Sequence, residues 1–189
     1  MPRGCNIRDM IDQGVVILGI PIPSSAPGFL GIIAVHVLAG LVCTIAGAVA
    51  MLAPKRRGRH PTAGSVYYWS LVVVFLTMTA LSIIRFPANN HLFVLGALSF
   101  GSAWAGRRAR RRLGPHWAPV HATGMALSYI LLLTAFYVDN GPNLPLWRSL
   151  PRLSYWLLPS LIGLPILGWV LKRHPLIIRL GRQSSGGAG

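Results

Sequence analysis

The chain is short of negative charge. Of its 189 residues only Asp9, Asp12 and Asp139 are acidic, against 18 Lys plus Arg. With a single acid outside the N-terminal segment, paired-carboxylate catalysis is excluded. Charge of either sign is scarce: 11% of the residues carry one, where a soluble domain has about 25%. Such a chain has too little polar surface to cover a soluble globule. Cysteine is sparse as well. Cys5 and Cys43 lie far apart in the sequence and lack metal-site spacing, and Cys43 falls in an apolar run where a free thiol packs as a small apolar group. HExxH is missing, no serine has a GxSxG setting, and "GRRARRRLG" has no GK[ST] ending. These absences weigh against an enzyme.

What the chain does have is apolar sequence. It is 53% hydrophobic, with a mean hydropathy of +0.56. Leu71–Ile84 and Met125–Val138 contain no charge at all. A membrane-spanning helix needs about 20 predominantly apolar residues. Five segments fit: Phe29–Ala53, Pro61–Ile84, Pro87–Ala105, Ala118–Val138 and Leu153–Leu171. The expected fold is therefore an all-α polytopic membrane helix bundle of five transmembrane helices, a four-helix core plus a fifth helix. Residues 1–28 form an extracytoplasmic N-terminal segment, 29–171 the transmembrane domain, and 172–189 a basic, flexible cytoplasmic tail. Pro21 and Pro23 break the apolar stretch in the first segment, so it does not span and is expected against the outer face of the bundle.

A formal net charge of +15 raises the question of nucleic acid, but the basic residues cluster between apolar runs. Lys55, Arg56, Arg57 and Arg59 fill the first loop. Arg107, Arg108, Arg110, Arg111 and Arg112 fill the third, and Lys172, Arg173, Arg179 and Arg182 the tail. On the other side stand Arg3, Arg8, Arg85, Arg148 and Arg152. This asymmetry is the positive-inside pattern; it predicts the N-terminus outside, the C-terminus cytoplasmic, and no nucleic-acid partner. The basic loops would lie on anionic lipid headgroups. Arg outnumbers Lys sixteen to two, a bias of GC-rich bacterial genomes, which points to the bacterial cytoplasmic membrane.

Projection at 100° per residue puts His36, Gly40, Cys43, Gly47 and Ala50 on one face of the first helix. Small residues let membrane helices approach closely. The third helix offers Ala97, Gly101 and Ala105. The second gathers His60, Gly64, Tyr67, Met78, Ser82 and Arg85; the fourth gathers His121, Gly124, Ser128, Ala135 and Asp139. Polar groups in spans face the bundle interior, so Arg85 is expected to pair with Asp139, just before the turn Asn140-Gly141-Pro142. There is also a weak repeat: His36 to His60 and His91 to His116 each run from an outer His, through Gly/Ala-rich sequence, to a basic loop and a second His. This is the pattern of a parallel repeat.

Histidine chemistry admits two readings. A membrane His can hydrogen-bond a neighbouring helix or ligate haem iron through a neutral imidazole. By depth, His36 and His91 would form an outer pair of haem b ligands and His60 and His121 an inner one, suited to passing electrons across the bilayer. His116 and His174 belong to inner loops or ends.

The pattern "HVLAG" in the first helix, the loop ending "RHPTAGSVYYWS", and "RRRLGPHWAPVHATGMALSY" entering the fourth helix resemble bacterial predicted membrane proteins of the DUF2306 type. The resemblance covers roughly His36 to Val138, with "YVDNGPNLPLW" and "YWLLPSLIGLP" similar to a subgroup with a further helix. It implies a multi-helix membrane protein, carries no established activity, and draws attention to His36, His60, Gly64, Tyr67 and His121. The leading functional expectation is a non-enzymatic membrane protein with a small polar cavity near the outer face, lined by His36, His91, Arg85 and Asp139, with Tyr67 a further candidate. That cavity would bind a small ligand or a partner protein. The alternatives are a b-type haem protein in transmembrane electron transfer and a small-molecule transporter, the latter suggested by Pro159, Gly163 and Pro165 in the fifth helix.

Overall fold

Apolar runs without charge must satisfy their own backbone hydrogen bonds in lipid, and helices do this within one segment. The computed structural model describes residues 15–17, 20–22, 27–55, 58–114, 116–145 and 147–173. Among them five long helices form: α1 (Pro27–Leu52), α2 (Arg59–Ile84), α3 (Asn90–Arg112), α4 (Trp117–Asn140) and α5 (Arg152–Arg173). The expected segments match these helices. Ahead of them, β1 (Val15–Ile17) and β2 (Ile20–Ile22) pair antiparallel, Val16 opposite Pro21. This short hairpin accounts for part of the N-terminal segment; residues 1–14 and 174–189, with His174, lie outside the described residues.

Four helices, α1, α2, α4 and α5, are long and apolar enough to cross a membrane. α3 differs from expectation at its C-terminal end. Arg107–Arg112 continue the helix rather than forming a loop. Arg is a good helix former, and cations are favoured in a last turn. Two of these side chains rest on aromatic rings: Arg108 lies 5.2 Å from the Trp104 ring centre and Arg110 4.6 Å from that of Trp117. Lys172 and Arg173 likewise belong to the last turn of α5 rather than to a tail.

The chain divides into two units. The first comprises residues 1–90 with 143–148 and contains α1 and α2; the second comprises 91–142 with 149–189 and contains α3, α4 and α5. In the first, α2 buries Tyr67, Leu71, Val74, Met78 and Leu81, a four-three spacing that keeps one stripe against a neighbour. The facing stripe of α1 is small, as expected: Cys43, Ala46 and Gly47 are buried. In the second unit the buried stripe of α3 is Leu92, Leu95, Ser99, Ala103 and Gly106. The expected stripe of Ala97, Gly101 and Ala105 is not the packing face, since Gly101 and Ala105 are exposed. The face with Gly106 prevails because it meets Gly124. A Cβ on Gly124 would fall 2.6 Å from the Ser102 carbonyl oxygen and 2.9 Å from the Gly106 Cα, so α3 and α4 touch backbone to backbone. α5 runs antiparallel to α4: Gly141, just after α4, lies against the Tyr155 ring near the start of α5, and Gly163 lies against Ile130. Both prolines of α5 sit inside one continuous helix.

The two hairpins repeat each other in their polar contacts. Cys43 Sγ donates to the Tyr67 carbonyl at 3.5 Å, and Ser99 Oγ to the Ser128 carbonyl at 2.8 Å. His60 Nδ1 bonds the Ala50 carbonyl at 2.8 Å, and His121 Nδ1 the Gly106 carbonyl at 3.0 Å. Cys43 and Ser99 are 56 positions apart, as are Ala50 and Gly106; Tyr67 and Ser128 are 61 apart, as are His60 and His121. One register therefore relates α1 to α3 and another relates α2 to α4. The difference of five residues lies around the connection: α3 runs four residues further than α1, α4 starts three earlier than α2, and the loop between them is two shorter. On this evidence the counterpart of His60 is His121, not His116, which is exposed at the start of α4. His36 corresponds to Leu92, not to His91.

Candidate functional site

The polar groups within the helices fall into shared and unshared contacts. Among the shared ones, the bond from His60 has a local cause. The helical partner of the Ala50 carbonyl would be the N–H of residue 54, which is Pro54 and has none. His60 Nδ1 and Lys55 Nζ supply the missing donors, Lys55 at 3.0 Å. Lys55 also reaches the Met51 carbonyl, and partial desolvation lowers its pKa below the ordinary lysine value. Gly58, at φ 112, makes the turn into α2 that a side chain would strain.

The unshared contact is His36 to Thr77, Nδ1 to Oγ1 at 2.9 Å, joining α1 to α2. The Thr77 hydroxyl proton is directed to the carbonyls of Val73 (2.8 Å) and Val74 (3.0 Å). Its oxygen is therefore the acceptor, and His36 Nδ1–H the donor. In the neutral ring this leaves the lone pair on Nε2. The same logic applies to His60 and His121, whose partners are carbonyls that can only accept. The counterparts of His36 and Thr77 in the second hairpin are Leu92 and Val138, which cannot make such a bond.

The other predicted residues are placed as follows. Tyr67 is 2% exposed and sits in the α1–α2 interface. His91 is exposed in the first turn of α3, its ring 6.1 Å from that of Trp156 on α5. Arg85 is the C-cap of α2 and exposed, with its backbone N–H on the Leu81 carbonyl. Asp139 is exposed in the last turn of α4, where Asn140 Nδ2 approaches its carboxylate at 3.5 Å. An acid in a last helical turn opposes the helix dipole, at about 0.3–1 kcal/mol, so its placement calls for a cause outside the helix. Arg85 and His36 belong to the first unit, Asp139 and His91 to the second.

Within neither unit do the candidate haem ligands face each other. His36 stands 14 residues before Ala50, the partner of His60, about 21 Å along α1 at 1.5 Å per residue. His91 and Gly106, the partner of His121, are about 22 Å apart along α3 by the same measure. A bis-histidine haem therefore does not fit inside either hairpin. No cluster of three or more His, Cys, Asp or Glu that would hold a metal ion occurs among the described residues.

The first turns of α2 present an open face of Pro61, Thr62, Ser65, Val66, Trp69 and Ser70. None of the four residues expected to line an outer cavity belongs to it. Sequence reasoning did not pick out Thr77. Thr77 sits seven residues before the end of α2, and His36 nine after the start of α1, so matching depths along an antiparallel hairpin was the available signal. Comparison with family models, characterised proteins and solved structures gave no match.

Proposed function

We propose that the chain is a five-span protein of the bacterial cytoplasmic membrane, N-terminus outside and C-terminus inside, that binds a small ligand or partner protein at a polar site around His36. The observation that carries this reading is the His36–Thr77 bond, an interhelical contact whose counterpart positions hold Leu92 and Val138. Polar groups in spans are costly and tend to be functional. Arg85, at the C-terminal end of α2, supplies a positive charge.

Antiparallel packing supports five spans: α3 lies along α4 from the Ser99–Ser128 contact to the Gly106–Gly124 crossing, so in this reading α3 crosses with it. Its stretch ahead of Arg107 is about 25 Å long, short of the ~30 Å hydrocarbon core. The Arg side chains bridge the difference by reaching to the interface along their apolar stems. The likeness to membrane proteins of the DUF2306 type agrees with this plan and brings no activity with it.

The test is what co-purifies. Organic extracts of the wild-type chain and of His36→Leu, both folded by circular dichroism, are compared by mass spectrometry. A small molecule enriched with wild type and lost from the variant is expected; identical extracts, with no protein partner lost on mild cross-linking either, would overturn the reading.

A second reading, haem binding, has one observation behind it. A histidine ligand usually has its other ring N–H held by a fixed acceptor, and the Nδ1 contacts of His36, His60 and His121 are of that kind. Bound haem would supply one-electron transfer. Protein expressed with adequate haem would then show a Soret band that His36→Ala abolishes; a colourless folded sample ends this reading.

A further inference from the structure

We propose that the second unit is matched to a thin bilayer, so that the lipid around α3, α4 and α5 is drawn in below its ordinary thickness and short acyl chains are preferred there. The inference rests on the membrane reading above and deepens it. Three observations lead to it.

The first is a ladder that α3 and α5 share. His91 on α3 and Trp156 on α5 meet ring to ring at 6.1 Å. Thirteen residues further along each helix stands an indole, Trp104 on α3 and Trp169 on α5. Four residues beyond it each helix has an Arg folded back over that ring. Arg108 lies 5.2 Å from the Trp104 centre and Arg173 5.7 Å from the Trp169 centre.

The second is level. Trp104 lies two residues before Gly106, which meets Gly124. Trp169 lies six after Gly163, which meets Ile130, itself six after Gly124. Both indoles therefore stand near the level of Gly124, and by the same count Trp156 stands at the level of Tyr137. The rungs face outward: Trp104, Trp156 and Trp169 are 48%, 41% and 59% exposed, and His91 is exposed.

The third is what lies between the rungs. Residues 92–103, 125–136 and 157–168 carry no charge, so the rungs bound one apolar slab on three helices. Thirteen residues of helix rise about 20 Å. Amphipathic rings settle at the two membrane interfaces, and an ordinary hydrocarbon core is about 30 Å thick. Tilt would shorten the slab further. Arg108 and Arg173, folded back over their rings, hold their charge at the same level. An apolar stretch too short for its bilayer is met by thinning of the lipid. The shortfall belongs to the second unit, since α1 carries no charge over 26 residues, about 39 Å of helix.

The full chain is reconstituted in phosphatidylcholine vesicles with monounsaturated chains of fourteen, eighteen or twenty-two carbons. Its affinity for each lipid is measured by tryptophan quenching with a brominated competitor. Four of the six tryptophans, Trp104, Trp117, Trp156 and Trp169, belong to the second unit, so the signal reports chiefly the lipid around that unit. Fourteen-carbon lipid should bind at least about threefold more tightly than twenty-two-carbon lipid. Trp104→Leu/Trp169→Leu moves the inner limit three residues on, to Arg107 and Lys172, about 4.5 Å further. The preference should then move toward longer chains. A wild-type preference for eighteen carbons or more overturns the proposal, as does one that the folded double variant leaves unchanged. The wild-type profile alone decides if that variant does not fold. A chain that enters none of the vesicles fails the membrane reading itself and takes this proposal with it.

Discussion

Across the α1–α2 hairpin His36 donates to Thr77; at the corresponding places in the α3–α4 hairpin stand Leu92 and Val138. Two other contacts recur in both hairpins, and Ser99 Oγ also meets Ser128 Oγ at 3.3 Å. Each has a small side chain donating to a carbonyl midway along the pair, and each has a His at the start of its second helix bonded to the end of its first. A contact present twice is accounted for by helix pairing. A contact present once is not, since the second hairpin closes without it. In the second hairpin Gly106 and Gly124 meet backbone to backbone; the first has Ala50 and Ala63 at those places. The comparison thus sets polar groups that build the fold apart from the His36–Thr77 pair, whose retention calls for another reason.

The tight crossing gives the largest expected effect. Gly124→Leu drives a side chain into the Ser102 carbonyl and the Gly106 backbone, and neither can withdraw. The expected loss is about 3 kcal/mol or more, measured as thermal unfolding in detergent. Its counterpart Ala63→Leu should cost less than about 1.5 kcal/mol. Equal losses would break the correspondence between the hairpins.

The two terminal histidines should differ in a way that exposes Pro54. His121→Leu removes a second donor from a carbonyl inside a helix, for about 0.6 kcal/mol. His60→Leu should cost the same while Lys55 remains on the Ala50 carbonyl. With Lys55→Met added, that carbonyl loses both side-chain donors and the loss should rise to about 1–3 kcal/mol. If Lys55→Met adds nothing, the account of Pro54 is wrong.

These contrasts also show what the sequence made legible. The helices were, because uncharged apolar runs between Arg clusters have one stable form in lipid. The α1 stripe through Cys43 and Gly47 was, because its small residues share one face. The α3 stripe was not: small residues lie on two faces of that helix, and only the partner Gly124 decides between them. The end of α3 was missed because an Arg run was taken for a loop, although Arg favours a last turn. Extra residues around that end shift the second register by five, which makes His121 rather than His116 the counterpart of His60, while His91 stands one position short of Leu92, the counterpart of His36. Thr77 was hidden in an otherwise apolar run, with only its depth opposite His36 to mark it.

The charges at the helix ends extend the comparison to the two units. If Arg85 and Asp139 are counter-ions, Arg85→Gln and Asp139→Asn should be coupled by about 0.5–1 kcal/mol in a double-mutant cycle. Additive, independent losses would break that pairing.

The smallest effect on stability carries the most about function. The double variant His36→Leu/Thr77→Val installs in the first hairpin what the second already has. The bond it removes is worth about 0.6 kcal/mol on average, and the apolar replacements recover packing, so the unfolding midpoint should barely move. Removing both partners also leaves no orphaned donor, unlike either single change. What should disappear is whatever the wild-type chain carries through purification or cross-linking. If binding survives in the double variant, His36 is only a third structural histidine, and the asymmetry between the hairpins has no functional meaning. If binding is lost while the midpoint holds, loss of fold cannot explain it, and the site belongs to the one pair the repeat does not duplicate.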